Sequence, residues 1–182
     1  MSRRTLVAAG LVVGILGTCH AMAQAQEARE ETAKLRVGVF DSRAVAVAYA
    51  ASEGHHRKLK QLTDEHAKAK AGGDTETAKR LEAEGKAGQK RMHHQGFGAA
   101  SVANILEEIK AQLPEIARKA GVDLIVSKWD LAYQAPAAKT IDVTQAVIAP
   151  FKPNARTLKI VHELENHRPV PAAQLENLKE TD

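Results

Sequence analysis

The sequence predicts an α+β fold. Its parts are a small antiparallel strand body, one protruding helical hairpin (a coiled-coil-like arm) and a C-terminal helix, with the body completed by oligomerisation. Three observations carry this. Aromatics are 3% of the 182 residues, too few for a thick core, so Ala and charge fill long thin helices instead. Short β-branched runs near 35–40 and 122–127 have the length and composition of strands. Two Ala- and Lys-rich runs flank Gly72-Gly73-Asp74, where two glycines and a helix-starting acid force a turn.

Residues 1–23 read as a secretory signal peptide. Arg3 and Arg4 form a basic start, Leu6–Gly17 is an apolar run, and Ala21-Met22-Ala23 is a small-x-small cleavage site, with Ala23-Gln24-Ala25 as the neighbouring alternative. The run is short of the roughly 20 residues a spanning helix needs. Ser2-Arg3-Arg4 also fits a twin-arginine signal, so the export route stays open. Leu16-Gly17-Thr18-Cys19 offers a weaker lipoprotein reading, with Thr ill suited before the Cys. Cleavage near Ala23 or Ala25 places the protein in the periplasm or outside the cell. It removes two of the 26 bases and none of the 22 acids, so the net charge falls from +4 to +2. It also removes Cys19, the one cysteine, which excludes disulfides, thiol chemistry and cysteine zinc sites. A net +2 gives no reason to expect nucleic acid as a partner.

Residues 24–34 are polar and read as a flexible lead-in. Leu35, Val37 and Val39 alternate as a strand ending at Phe40-Asp41, with Gly38 where another backbone approaches. Asp41 or Ser42 caps a helix from Arg43 to Ala71, with Gly54 its weak point. A second helix follows from Thr75 to Met92, so the arm covers about residues 43–95. Its stretch Ser52–Lys70 spans roughly 28 Å at 1.5 Å per residue. Between Glu53 and Gln95 ten Lys and Arg face seven Asp and Glu, the composition of a solvated projection.

His93-His94-Gln95-Gly96-Phe97-Gly98 reads as a hinge or corner that interrupts the second helix. Ser101 caps a helix that buries Val102, Ile105, Leu106, Ile109, Leu113 and Ile116, kinked or restarted at Pro114 and closed by Gly121. Val122–Ser127 is the second strand, Trp129-Asp130 a turn, and Leu131-Ala132-Tyr133 the third strand. Asp142-Val143-Thr144 opens a short helix stopped by Pro150. Residues 152–182 form a C-terminal helical tail. Its amphipathic helix Asn154–His167 carries Leu158, Val161 and Leu164, and its polar end docks or frays.

The ordered set of strand, charged hairpin, helix, strand and Asp-x-Thr helix start resembles the Skp/OmpH family of periplasmic chaperones over about residues 35–151. Val37-Gly38-Val39-Phe40-Asp41 is similar to that family's first strand. Ser52-Glu53-Gly54 sits where its arm begins. Ile116–Val126, with Gly121 followed by an apolar strand, is similar to its second-strand segment, and Asp142-Val143-Thr144 to its closing motif. Asp41, Ser52, Gly121, Asp142 and Thr144 thus stand at family-like structural positions. The arms are shorter than is typical of the family, and the tail has no counterpart there. In that family, strands of three subunits form a barrel, and the hairpins surround a cavity that holds unfolded outer-membrane proteins without ATP. The resemblance implies a homotrimeric, cofactor-free holdase or assembly factor, not an enzyme, whose partners are unfolded or assembling envelope proteins. It implies that the arm cations Arg57, Lys58, Lys60, Lys68, Lys70, Lys79, Arg80, Lys86, Lys90 and Arg91 meet the client. Basic arms also suit an anionic membrane surface.

Other constellations are weaker. His55-His56 lies 17 residues before Gly72 and His93 lies 20 after Gly73, so an antiparallel hairpin brings the pairs to similar height. His55, His56, His93 and His94 are therefore the alternative site, for a transition metal in a periplasmic binding module. A structural envelope adaptor that docks through its tail is the third reading. Asp41 and Asp142 read as caps, not as a catalytic acid pair. Ser101 lacks a nucleophile-elbow motif. Trp129 reads as a core or interface anchor.

Overall fold

A computed structural model describes residues 35–177. The signal peptide, the lead-in 24–34 and the last five residues lie outside them. Strand β1 is Val37–Phe40, β2 Leu124–Ser127 and β3 Thr140–Asp142. The helices are α1 Ser42–Ala50, α2 Glu53–Ala71, α3 Thr75–Gly96, α4 Ala103–Leu106, α5 Leu113–Ala120, α6 Thr144–Ile148, α7 Ala155–Leu164 and α8 Ala172–Asn177. Single 3₁₀ turns follow α4 (Glu107–Ile109) and α6 (Ala149–Phe151).

The described residues are mostly helical, and the sheet corrects the expected antiparallel body. Its three strands are all parallel, in the order β2-β1-β3. Val39 pairs with Val126 on one side and Asp142 on the other. The chain leaves β1 through five helices, long enough to bring β2 back in the same direction. It then passes beyond β1 to lay β3 on the far edge. Leu131-Ala132-Tyr133, the expected third strand, lies in that crossing. It forms no strand, and Tyr133 is 79% exposed. The strand role falls instead to Thr140 and Ile141, held as Val143 N–H donates to Val39 O at 2.8 Å. Gly38 sits where a Cβ would press on Val122, Leu124 O and Val143 at 3.1–3.3 Å, so the central strand has room for no side chain there.

The core forms around α1. Ala44, Val45, Ala46 and Ala48 are buried among Phe40, Ile105, Ile109, Val147, Ile148, Phe151 and Val161. Small residues on α1 let α3, α6 and α7 approach it closely, at the cost of modest apolar area per residue.

The expected helix 43–71 is two helices. The break falls at Ala51-Ser52 and not at Gly54, because the Ser52 hydroxyl accepts from His55 N–H at 3.2 Å and starts α2 afresh. Gly73 takes φ 75° in the hairpin turn, and Asp74 caps α3 through Thr77 N–H at 3.0 Å. α3 runs on through His93–Gly96, where the sequence predicts an interruption. It stops at Phe97-Gly98, where a Cβ on Gly98 would meet His94 O at 2.7 Å and Leu175 Cδ1 at 2.9 Å. Pro114 lies in the first turn of α5, and Gly121 closes that helix at φ 65°. Pro150 does not end the chain's turning but sits inside a 3₁₀ turn. On α7 the buried residues are Thr157 and Val161, while Leu158 is exposed. As far as residue 177 the tail docks: Leu175 is buried and Val170 N–H donates to Phe97 O at 2.9 Å.

Candidate functional site

Two sites concentrate polar chemistry, one at the end of β1 and one at the root of the arm. At the first, Asp41 caps α1 and Arg43, two residues on, folds back onto it. Arg43 Nε and Nη2 donate to Oδ1 and Oδ2 at 3.1 and 2.7 Å, and the Arg43 backbone N–H donates to Oδ1 at 3.0 Å. Trp129 Nε1 adds a bond to Oδ1 at 2.9 Å, and Lys128 Nζ lies 2.9 Å from Oδ2. Both cations also stand over the Trp129 ring, each 4.8 Å from its centroid. Arg43, 2% exposed, spends its remaining Nη2 bond on Leu164 O at 2.9 Å, which ties in α7.

Burial alone would raise the Asp41 carboxyl. The bonds from Arg43, Trp129 and Lys128, with the Arg43 charge, overcome it and hold the pKa at about 2. A carboxylate so saturated is a poor general base at neutral pH. It is a fastening between β1, the turn after β2, and α7. Thr144 adds the other edge: its Oγ1 accepts from Asp41 N–H at 3.0 Å, while Asp142 Oδ1 accepts from Thr144 N–H at 2.7 Å. Asp41 and Ser52 are thus helix caps and Gly121 closes α5, while Asp142 and Thr144 tie the start of α6 to the end of β1.

The arm consists of α2 packed along α3. No residue of α2 is buried, and α3 buries only Leu81 and Gln95. The cations form a partly neutralised surface. Arg57 pairs with Glu53, Lys60 with Asp64, Arg80 with Glu84 and Lys86 with Glu82, each four residues away. Exposed, solvent-screened pairs of this kind contribute little individually. Lys58 reaches Glu108 on the body, and this bond holds its amine above the usual lysine range. Lys90 meets Glu176 of the tail at 3.0 Å. Lys68, Lys70, Lys79 and Arg91 form no ion pair among the described residues.

A cleft of about 580 Å³ opens at the root of the arm. Tyr49, Leu59, Leu62 and Met92 supply its apolar wall, and Gly85 and Gly88 its floor. A Cβ placed on Gly85 would lie 3.6 Å from Leu62 Cδ2, and nothing lies within 4 Å of one placed on Gly88. Leu59 stays 47% exposed beside this gap. Gln95 closes the inner end. Its Nε2 donates to Ser101 O at 2.7 Å and to Asn104 Oδ1 at 2.6 Å. Because Ser101 O can only accept, this fixes which way the amide faces.

The histidine pairs divide. His55 and His93 both line the cleft, with His55 4.8 Å from the Tyr49 ring. Burial holds His55 below the usual imidazole range, and His56 and Lys58 push it the same way. His94 turns toward the tail, its Nε2 3.3 Å from Glu176 Oε1. Among the described residues no three His, Cys, Asp or Glu side chains come together as metal ligands.

Sequence reasoning missed the burial of Arg43, the glycine floor and Gln95. Arginine is ordinarily exposed, so nothing marked Arg43 except its place two residues after Asp41. Two glycines three apart inside a helical run were the available sign of the cleft. Comparison with family models, curated proteins and solved structures finds no match to this chain.

Proposed function

We propose that the chain is a secreted, ATP-independent holdase-type chaperone or assembly factor for envelope proteins, working through its arm. The observation that supports this most is α2, a helix of 19 residues that buries none of them. Stability from packing does not account for such a surface, and a partner that makes many weak contacts would use it. The arm stays standing through its pairing with α3, its i,i+4 ion pairs and its tie from Lys58 to Glu108. Lys68, Lys70 and Lys79 near its tip suit acidic client segments and anionic lipid heads.

Self-association, as a trimer, belongs to the same reading. The order β2-β1-β3 leaves β2 and β3 each with an outer edge, and open edges invite pairing with another chain. Leu131, Tyr133 and Ile141 are exposed along the crossing to β3 and on β3 itself, which supports a covered surface there. Among the described residues no helix is long and apolar enough to cross a membrane.

The test is light scattering from a urea-unfolded outer-membrane β-barrel protein diluted into buffer with the purified chain and no nucleotide. Suppression of aggregation that saturates at a fixed subunit ratio is the expected result. Undiminished aggregation at excess chain would end the proposal.

A further inference from the structure

We infer that the cleft at the root of the arm binds one extended peptide segment through a backbone N–H, an apolar side chain and a neighbouring carboxylate. The inference deepens the holdase reading and rests on it for the source of the peptide.

Three features of the cleft specify that ligand. Gln95 is 1% exposed, and its Oε1 has no hydrogen-bond partner among the described residues. Its amide cannot turn to relieve this, because Nε2 is held by Ser101 O and Asn104 Oδ1. A buried acceptor fixed in this way needs an N–H or O–H donor. The wall beside it is apolar, and Gly85 and Gly88 leave room along Leu59, Leu62 and Met92 for a side chain of leucine size. The rim holds one cation, Arg91, and its one acid, Glu84, is engaged by Arg80 at 3.5 Å. Arg91 is in no ion pair among the described residues. A polypeptide supplies these complements together: a main-chain N–H, an apolar side chain and an acidic neighbour. An extended chain can present all of them without folding.

The probe is a fluorescent capped peptide, Ac-Ala-Leu-Asp-Ala-Ala-amide, titrated into the purified full chain by polarisation, with amide NMR shifts as the map. A control peptide carries an N-methyl on the leucine, which deletes the donor and leaves the protein untouched. Gly88→Met fills the floor, where the helix tolerates a side chain. Binding is expected to perturb Gly85, Gly88 and the Gln95 side-chain amide, and to weaken at least about tenfold with either change. No binding at about 1 mM peptide, or binding indifferent to both changes, would overturn the inference. Aggregation suppression is measured in parallel. Suppression without peptide binding removes the cleft and leaves the holdase standing. Peptide binding without suppression leaves the cleft and removes the holdase.

Discussion

The indole N–H of Trp129 donates to Asp41 Oδ1 at 2.9 Å, across 88 residues of chain. The bond joins the end of the central strand to the turn after its neighbour, over a guanidinium that is itself buried. Removing the acid strands Arg43 and Lys128. Asp41→Ala is therefore expected to destabilise by about 3–5 kcal/mol. Trp129→Phe removes one donor of several and is expected to lose about 1 kcal/mol in hydrogen bonding. Urea unfolding of the two variants checks the order. Equal losses would mean that the fastening is the ring and not the charge.

The same carboxyl sets an acid limit. Its folded pKa of about 2 lies below the ordinary 3.8, so the folded state holds on to the charged form. The stability this contributes, about 2 kcal/mol, is fully present above pH 3.8 and is lost as pH falls through about 2. Asp41→Asn should flatten, without abolishing, the fall in stability over that window. The remaining slope belongs to acids such as Asp74 and Asp123, which are also held low, chiefly by backbone N–H bonds. Chemical unfolding from about pH 5 to about pH 2 tests it.

Gly98 and Leu175 form a close contact between the end of the arm and the tail. A methyl at 98 would meet His94 O at 2.7 Å, which is backbone and cannot swing away, and Leu175 at 2.9 Å. Gly98→Ala is expected to cost about 1–3 kcal/mol. Leu175→Ala should loosen the tail without touching the turn. Hydrogen exchange should then rise at Val170, whose N–H meets Phe97 O, while α1 stays protected. Unchanged exchange at Val170 would show that the tail is held elsewhere.

Gly88 makes the opposite prediction. Nothing surrounds the place where its Cβ would be, and glycine inside a helix is about 0.5–1 kcal/mol worse than alanine. Gly88→Ala should therefore raise the thermal midpoint. A lower midpoint would mean that α2 packs closer to this floor than the geometry shows.

Much of the helical plan was legible because local chemistry decides it. Asp74 and Asn154 cap, Gly73 and Gly121 take positive φ, and Pro114 starts a helix. What failed depends on distant partners. Leu131-Ala132-Tyr133 has strand composition, but no neighbouring strand receives it, and Thr140-Ile141 takes the edge of β1 instead. The direction of short strands leaves no trace in a two-residue period, so the parallel sheet was hidden. His93–Gly96 looked like a break but stays helical, since glycine weakens a helix without ending it. The cleft was illegible for the same reason. The sequence shows Gly85 and Gly88, but Leu62 opposite them and Gln95 at the inner end become visible only once α2 and α3 lie together.

The most direct test of the central claim is site-specific photo-crosslinking to an unfolded outer-membrane β-barrel client. Crosslinkers are placed on the arm at Lys68, Lys79 and Ala87 and, as a control, on the body at Lys159 of α7, all of them exposed. Client adducts concentrated on the three arm positions, and sparse at Lys159, are the expected result. Adducts absent from the arm, or as frequent at Lys159, would contradict the assignment of the arm as the client-holding element.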